Sequence, residues 1–213
     1  MPAPAIKICG VTTPAALDAV IAAQGDHVGF VFFPPSPRHL ASRDAQALAA
    51  RAEGRISRVG LFVDATDAVI AEAVGAARLD ALQLHGGESP ERAAQLRARF
   101  GLPVWKAVPI ASAADIERAM AYAAAVDLIL FDAKTPKGSL PGGMGLAFDW
   151  SLLAAWKNRA PWGLAGGLNP ANVAEAVQQT GTPLVDTSSG VETGPGIKDV
   201  GLIAEFCRAA RRG

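Results

Sequence analysis

The chain has 213 residues, half of them hydrophobic and 19% charged. That is enough for one domain with a full core, spanning 1–213, and short for two. Its 20 Lys and Arg balance 20 Asp and Glu, and neither sign collects into a stripe or tail. The balance argues against nucleic acid as a partner and favours a small metabolite, or an anion held by local geometry.

Short β-branched or aromatic runs alternate with Ala-rich segments of helical length. Strands are predicted at 6–9, 27–32, 57–63, 81–85, 104–108, 128–132, 162–165 and 184–187. Helices are predicted at 14–23, 43–52, 67–76, 90–100, 112–124, 149–155, 170–179 and 200–210. Thr13-Pro14, Ser89-Pro90 and Asn169-Pro170 each place a capping side chain before a proline suited to a first helical turn. Eight such units in this length imply an α/β fold, a single (βα)₈ TIM barrel, with an open doubly wound sheet as the alternative. The Gly- and Pro-containing segment 135–145, after the sixth strand, reads as a surface loop or a lid over an active site.

The N-terminus lacks a cationic patch followed by a long apolar run, so no signal peptide is expected. The longest apolar stretch is broken by Asp127 and is too short to span a bilayer, so no membrane association is expected. Cys9 and Cys207 stand at opposite ends of the chain, without metal-ligand spacing or a disulfide framework. The chain reads as cytoplasmic and metal-free.

Side chains alternate across a strand, so parity decides which enter the barrel. Lys7 and Cys9 share one side of the first strand. Gln83 and His85 share a side of the fourth, opposite Leu82 and Leu84. Leu130 and Asp132 are in phase on the sixth, as are Asp186 and Ser188 on the eighth. Cys9, His85, Asp132 and Asp186 are therefore delivered to the C-terminal mouth, where parallel barrels build their active sites. Each alone has a plainer reading: Cys9 as a small buried hydrophobe, His85 satisfying backbone groups, Asp132 capping a turn, Asp186 paired with Lys7. Burying all of them unsatisfied would cost about 1–3 kcal/mol each, which favours function.

A second constellation follows the seventh and eighth strands. Ala165-Gly166-Gly167-Leu168-Asn169-Pro170 and Thr187-Ser188-Ser189-Gly190-Val191-Glu192 occupy the loops that commonly hold phosphate through backbone N–H groups. Gly166, Gly167 and Gly190 let the backbone approach the oxygens, and Ser188 and Ser189 add hydroxyl donors. A phosphorylated small molecule is the expected ligand.

Together with Lys7-Ile8-Cys9-Gly10, Leu82-Gln83-Leu84-His85-Gly86, Phe131-Asp132-Ala133-Lys134, Gly142-Gly143-Met144-Gly145, Phe148-Asp149-Trp150 and the 33–38 loop, these motifs resemble phosphoribosylanthranilate isomerase. They run from residue 7 to about residue 199; Leu146-Ala147 departs from the Lys-Thr often found there. The resemblance implies an Amadori rearrangement of a phosphosugar, N-(5-phosphoribosyl)anthranilate, in tryptophan biosynthesis, without metal or cofactor. It implies Cys9 as general base and Asp132 as general acid, with Arg38 on the anthranilate carboxylate. Gly166, Gly167, Ser188, Ser189 and Gly190 would hold the phosphate, and Gln83, His85 and Asp186 would contact substrate. Lys7, on the same face as Cys9, is expected to favour its thiolate, while Asp132 needs surroundings that keep its proton. A monomer is expected. The alternatives are a sibling phosphosugar barrel, such as indoleglycerol-phosphate synthase or a histidine-pathway isomerase, or a non-catalytic phosphosugar-binding domain.

Overall fold

The computed structural model describes residues 2–133, 149–156 and 159–213. The expected loop at 135–145, Lys134 and the 142–148 motif lie outside the described residues. Eight parallel strands close into a barrel in chain order: β1 (Ala5–Cys9), β2 (His27–Val31), β3 (Ser57–Phe62), β4 (Ala81–Leu84), β5 (Val104–Ile110), β6 (Leu128–Ala133), β7 (Trp162–Leu164) and β8 (Leu184–Thr187). β1 pairs with both β2 and β8, so no edge is left exposed. The predicted strands match these within two residues at either end.

The helices form the outer layer: α1 (Pro14–Ala22), α2 (Ser42–Ala52), α3 (Asp67–Ala77), α4 (Pro90–Phe100), α5 (Ala113–Ala119), α6 (Val173–Thr180) and α7 (Val200–Ala210). Thr13 and Ser89 cap α1 and α4, each accepting from the N–H three residues on, with proline at the first turn. The third Pro signal fails. Residues 169–172 form a turn instead, in which Asn169 Oδ1 accepts from Ala171 N–H and Asn172 Oδ1 accepts from Asn169 N–H, and α6 starts only at Val173. Asparagine competes well for local backbone donors, and here the turn wins.

Two other helices differ from expectation. The segment predicted at 112–124 leaves the α-helix at Ala119 and continues as a 3₁₀ turn, Met120–Tyr122. The segment predicted at 149–155 is 3₁₀ throughout, Trp150–Trp156. A 3₁₀ helix aligns residues three apart, which turns Leu153 and Trp156 inward together, and both are buried.

The barrel wall separates two apolar regions. Ile6, Ile8, Leu82, Leu84, Ile129, Phe131 and Val185 point outward and pack with the helices. Val59, Ala81, Trp105, Leu130, Ala165 and Leu184 fill the barrel itself, and Cys9, Val31 and Leu61 cluster nearer its mouth. The register sets Lys7 level with His27 on one side and Asp186 on the other. The interior is thus polar at its centre, an expectation of strand parity met by the fold.

His27 sits edge-on to Trp105, with ring centroids 5.1 Å apart, and its Nδ1 is buried without a hydrogen-bond partner among the described residues. Burial, and then the Lys7 ammonium, push its pKa below 6.5, against the pull of Asp26 and Asp80. The unfolded chain therefore takes up this proton first as pH falls, and stability declines below pH 6.5. Urea midpoints measured from about pH 7.5 down to about pH 5.5 should fall for the parent and fall less steeply for His27→Gln. Equal slopes would exclude His27 as the source.

Candidate active site

One cavity opens at the C-terminal ends of the strands. Cys9, Arg38, Gln83, His85, Asp132, Gly166, Gly167, Asp186, Ser188 and Ser189 all line it. Ten of the eleven expected site residues therefore converge. Gly190 is the exception in direct lining, and its role is packing: a Cβ there would collide with the Leu168 carbonyl oxygen and approach Thr187 Oγ1 to 2.8 Å. Only glycine lets the β8 loop lie this close to the β7 loop, and Thr187 Oγ1 ties the two by donating to Leu168 O at 2.6 Å.

The β7 loop depends on glycine for a different reason. Gly166 and Gly167 both have positive φ, 83° and 67°. A Cβ on Gly166 would strike Ala133 N–H and lie 2.9 Å from Asp132 Oδ1. Asn169 and Asn172 side chains both donate to Gly167 O, bracing the loop from behind.

At the floor, Lys7 Nζ donates to both Asp186 oxygens at 3.0 Å. Of the two readings of Asp186, the ion pair with Lys7 is the one its geometry expresses; the carboxylate still reaches the cavity wall. Burial alone would depress Lys7, but Asp186 and Cys9 hold it above its ordinary value. Burial pushes Asp186 up, and Lys7 opposes it. These tendencies formally favour different protonation states; an ammonium spanning both oxygens identifies the charged pair. Gly29 makes the arrangement possible, since a Cβ there would sit 2.7 Å from Cys9 Sγ and 3.1 Å from Lys7 Nζ.

The expected pull of Lys7 toward a Cys9 thiolate is present, but other influences exceed it. Lys7 does adjoin Cys9 and pulls its pKa down, as Lys198 does, but burial outweighs both and Asp186 adds to it. The net shift is upward, which favours the protonated thiol. Asp186 offsets the charge of the very lysine expected to activate Cys9.

Across the cavity, Asp132 Oδ1 accepts from Ala133 N–H at 2.8 Å, and Oδ2 faces His85 Nε2 at 3.1 Å. His85 Nδ1 lies 3.2 Å from Gln83 Nε2. His85 and Gln83 thus reach the carboxyl group in series. The backbone just beyond His85 is pinned from outside the barrel: Glu88 accepts from Gly86 N–H and Asp64 N–H, and Lys106 donates to Gly86 O and Glu88. Lys106 and Glu88, both buried, escaped the sequence reading because their pairing spans strand and loop without any local signature.

Arg38 is held by Glu192, which accepts from Nε at 2.8 Å and from an Nη at 2.7 Å. Lys198 donates to the same carboxylate and to Ser188 O and Oγ. Glu192 and Lys198 belong to an unexpected hairpin, β9 (Glu192–Gly194) with β10 (Ile197–Lys198). Its only sequence signal was Gly194-Pro195-Gly196, with Gly196 at φ 80°. Burial alone would raise the Glu192 carboxyl, but Arg38 and Lys198 hold it below its ordinary value. Burial draws Lys198 down although Glu192 resists. Two cations against one carboxylate leave this wall positive. Among the described residues, no group of three or more His, Cys, Asp or Glu could hold a metal ion, and no helix is long and apolar enough to cross a membrane.

The profile of the N-(5'phosphoribosyl)anthranilate (PRA) isomerase family matches residues 6–209. An N-(5'-phosphoribosyl)anthranilate isomerase of Paramagnetospirillum magneticum is 52% identical over 209 residues, covering 98% of this chain and 97% of the relative. The barrel superposes with TM-score 0.84 and 35% identity on a structure of monomers generated from the dimeric isomerase of Thermotoga maritima, covering 97% of this chain and 98% of that one. A phosphoribosyl anthranilate isomerase in complex with reduced 1-(o-carboxyphenylamino)-1-deoxyribulose 5-phosphate matches with TM-score 0.83 and 35% identity, over 97% of this chain and 98% of its own.

Breaking the buried pair should be costly because it strands a charge. Lys7→Met is expected to lose about 3–5 kcal/mol of stability, and the double variant Lys7→Met/Asp186→Leu to recover much of it. Denaturant titration of the four proteins of the cycle, Asp186→Leu included, measures this, and an additive double variant would disprove the coupling.

Proposed function

The chain belongs to the N-(5'-phosphoribosyl)anthranilate isomerase family and is an isomerase of tryptophan biosynthesis; on that premise we propose that Asp132 is its general acid and Cys9 its general base. The observation that carries this reading is that both side chains line one cavity whose rim carries the two glycine-bearing loops. A phosphosugar anchored at the rim has its ring within reach of both groups.

Asp132 protonates the ribose ring oxygen of N-(5-phosphoribosyl)anthranilate, and the C1–O bond breaks to give an iminium. Cys9 releases its thiol proton to solvent and, as the thiolate, takes the C2 proton, and the electron pair of that C–H bond neutralises the iminium to an enolamine. Tautomerisation yields 1-(2-carboxyphenylamino)-1-deoxyribulose 5-phosphate. Positive charge developing at the iminium favours ionisation of the Cys9 thiol, which burial opposes. A fixed Lys7 cation, already matched by Asp186, adds too little by itself. The iminium also acidifies C2, so a modest base suffices. Each positioned proton transfer contributes about 10²–10⁴-fold.

Arg38, oriented by Glu192 beside Lys198, binds the anthranilate carboxylate on the positive wall. Backbone N–H groups around Gly166, Gly167 and Gly190 and the Ser188 and Ser189 hydroxyls hold the phosphate. Asp186 and His85 position the sugar where they meet the cavity. Every named residue comes from one chain, so a monomer suffices for the chemistry, although the Thermotoga maritima isomerase is dimeric. Both cysteines are free and buried, which suits the reducing conditions of the cytoplasm, where we place the reaction.

Cys9→Ala and Asp132→Asn should each lower kcat by about 10²-fold or more, followed by the fluorescence of the anthranilate substrate. Near-parental turnover in either would remove that residue from its role. Arg38→Met should act chiefly on KM, raising it about 10-fold, because the carboxylate is present in ground and transition states alike. A fall in kcat with KM unchanged would place Arg38 in the chemistry instead.

A further inference from the structure

Gln83 lies inside the barrel on β4, fully buried, with His85 next on the same face. Its Nε2 is 3.2 Å from His85 Nδ1, and His85 Nε2 is 3.1 Å from Asp132 Oδ2. Donor and acceptor roles follow from the chemistry of each group. An amide nitrogen can only donate, so Nδ1 accepts. The neutral ring then carries its one proton on Nε2 and donates it to Asp132. Asp132 accepts on Oδ1 as well, from Ala133 N–H. In this arrangement the carboxyl group is the anion, one proton short of an acid.

Loading that proton changes the whole series. On Asp132 Oδ2, it needs Nε2 as acceptor, and the ring proton must move to Nδ1. On the ring, it leaves both nitrogens protonated. Either way Nδ1 becomes a donor, and Gln83 must present oxygen in place of nitrogen. The present orientation is not locked by a second bond, because Gln83 Oε1 is buried without a hydrogen-bond partner among the described residues. Turning the amide over exchanges which atom is unpaired and adds none.

We propose that Gln83 is a positioning residue whose side-chain amide reverses as the His85–Asp132 pair gains and loses the proton that opens the substrate ring. The proposal rests on the assignment of Asp132 as general acid. It makes His85 a member of the proton-holding unit as well as a neighbour of the sugar. Asp186 on β8 faces both His85 and Asp132 electrostatically. Lys7 on β1 neutralises Asp186 and adjoins Cys9. None of these groups is altered by substitution at Gln83.

The direct test is the ¹⁵N spectrum of the histidine rings in the intact, ligand-free protein. The chain has three histidines, and variants His27→Gln and His39→Gln identify His85 by elimination. His85 should carry hydrogen only on Nε2 at alkaline pH and gain it on Nδ1 as pH falls, over the range of the alkaline limb of kcat/KM. A ring with Nδ1–H at every pH overturns the proposal. This measurement needs no turnover, so it is separate from the Asp132→Asn assay, which tests the acid assignment itself. Kinetically, Gln83→Leu offers Nδ1–H no acceptor and should lower kcat about 10-fold, moving the alkaline limb down by about one pH unit. Gln83→Glu supplies an obligate acceptor and should move that limb up. A merely structural residue would lower kcat equally at all pH and leave the limb in place, and that result would refute the idea. If Gln83→Leu does not fold, Gln83→Glu and the ring spectrum decide.

Discussion

A charged pair buried at the centre of the barrel constrains everything above it. Lys7 and Asp186 are 179 residues apart in sequence, on the first and eighth strands, and their bond forms only when the barrel closes. Burying two ions is costly, and mutual attraction repays the cost only with good geometry. Here one ammonium bridges both oxygens, and Gly29 leaves the space it occupies. The pair therefore serves as a registry device: a slip of one residue in either strand would turn that strand's charge into the apolar layer beneath the helices and leave the other unpaired.

The same pair sets the electrostatics of the site. It brings a cation next to Cys9 and cancels much of its effect, so that burial favours the protonated thiol. In the proposed reaction, positive charge developing at the iminium opposes this effect of burial and favours the thiolate. On the opposite wall Asp132 is reached through His85 and Gln83, a second polar group inside the barrel. Hydrogen-bond chains in such surroundings make each member's state depend on the others. The proposed base adjoins the ion pair and the proposed acid ends the Gln83–His85 series, with Asp186 acting electrostatically on both.

The rim is built on another principle. Its two glycine-bearing loops present mostly backbone and are braced by Asn169, Asn172 and Thr187. Its cationic wall is a three-residue cluster in which Glu192 fixes the plane of Arg38 while Lys198 restores the positive balance. A planar guanidinium anchored on one edge presents a defined direction to a carboxylate, which a free side chain would have to acquire at an entropic cost.

Strand parity and alternation were enough to read the barrel, because period two and period 3.6 patterns are local and the chain is too short for a second core. Parity also placed Cys9, His85, Asp132 and Asp186 on the inward face, and glycine spacing marked the two rim loops. Local signals misjudged 112–124, 149–155 and the start of α6, where packing of Leu153 and Trp156 and the side-chain turn at Asn169 outweighed helix propensity. The upward pKa shift of Cys9, the hold of Glu192 on Arg38, the Lys106–Glu88 anchor and the Gln83–His85–Asp132 series were decided by tertiary structure alone. Each depends on how far water is excluded and on which distant groups meet. Those quantities come into being only when the eight strands close around them.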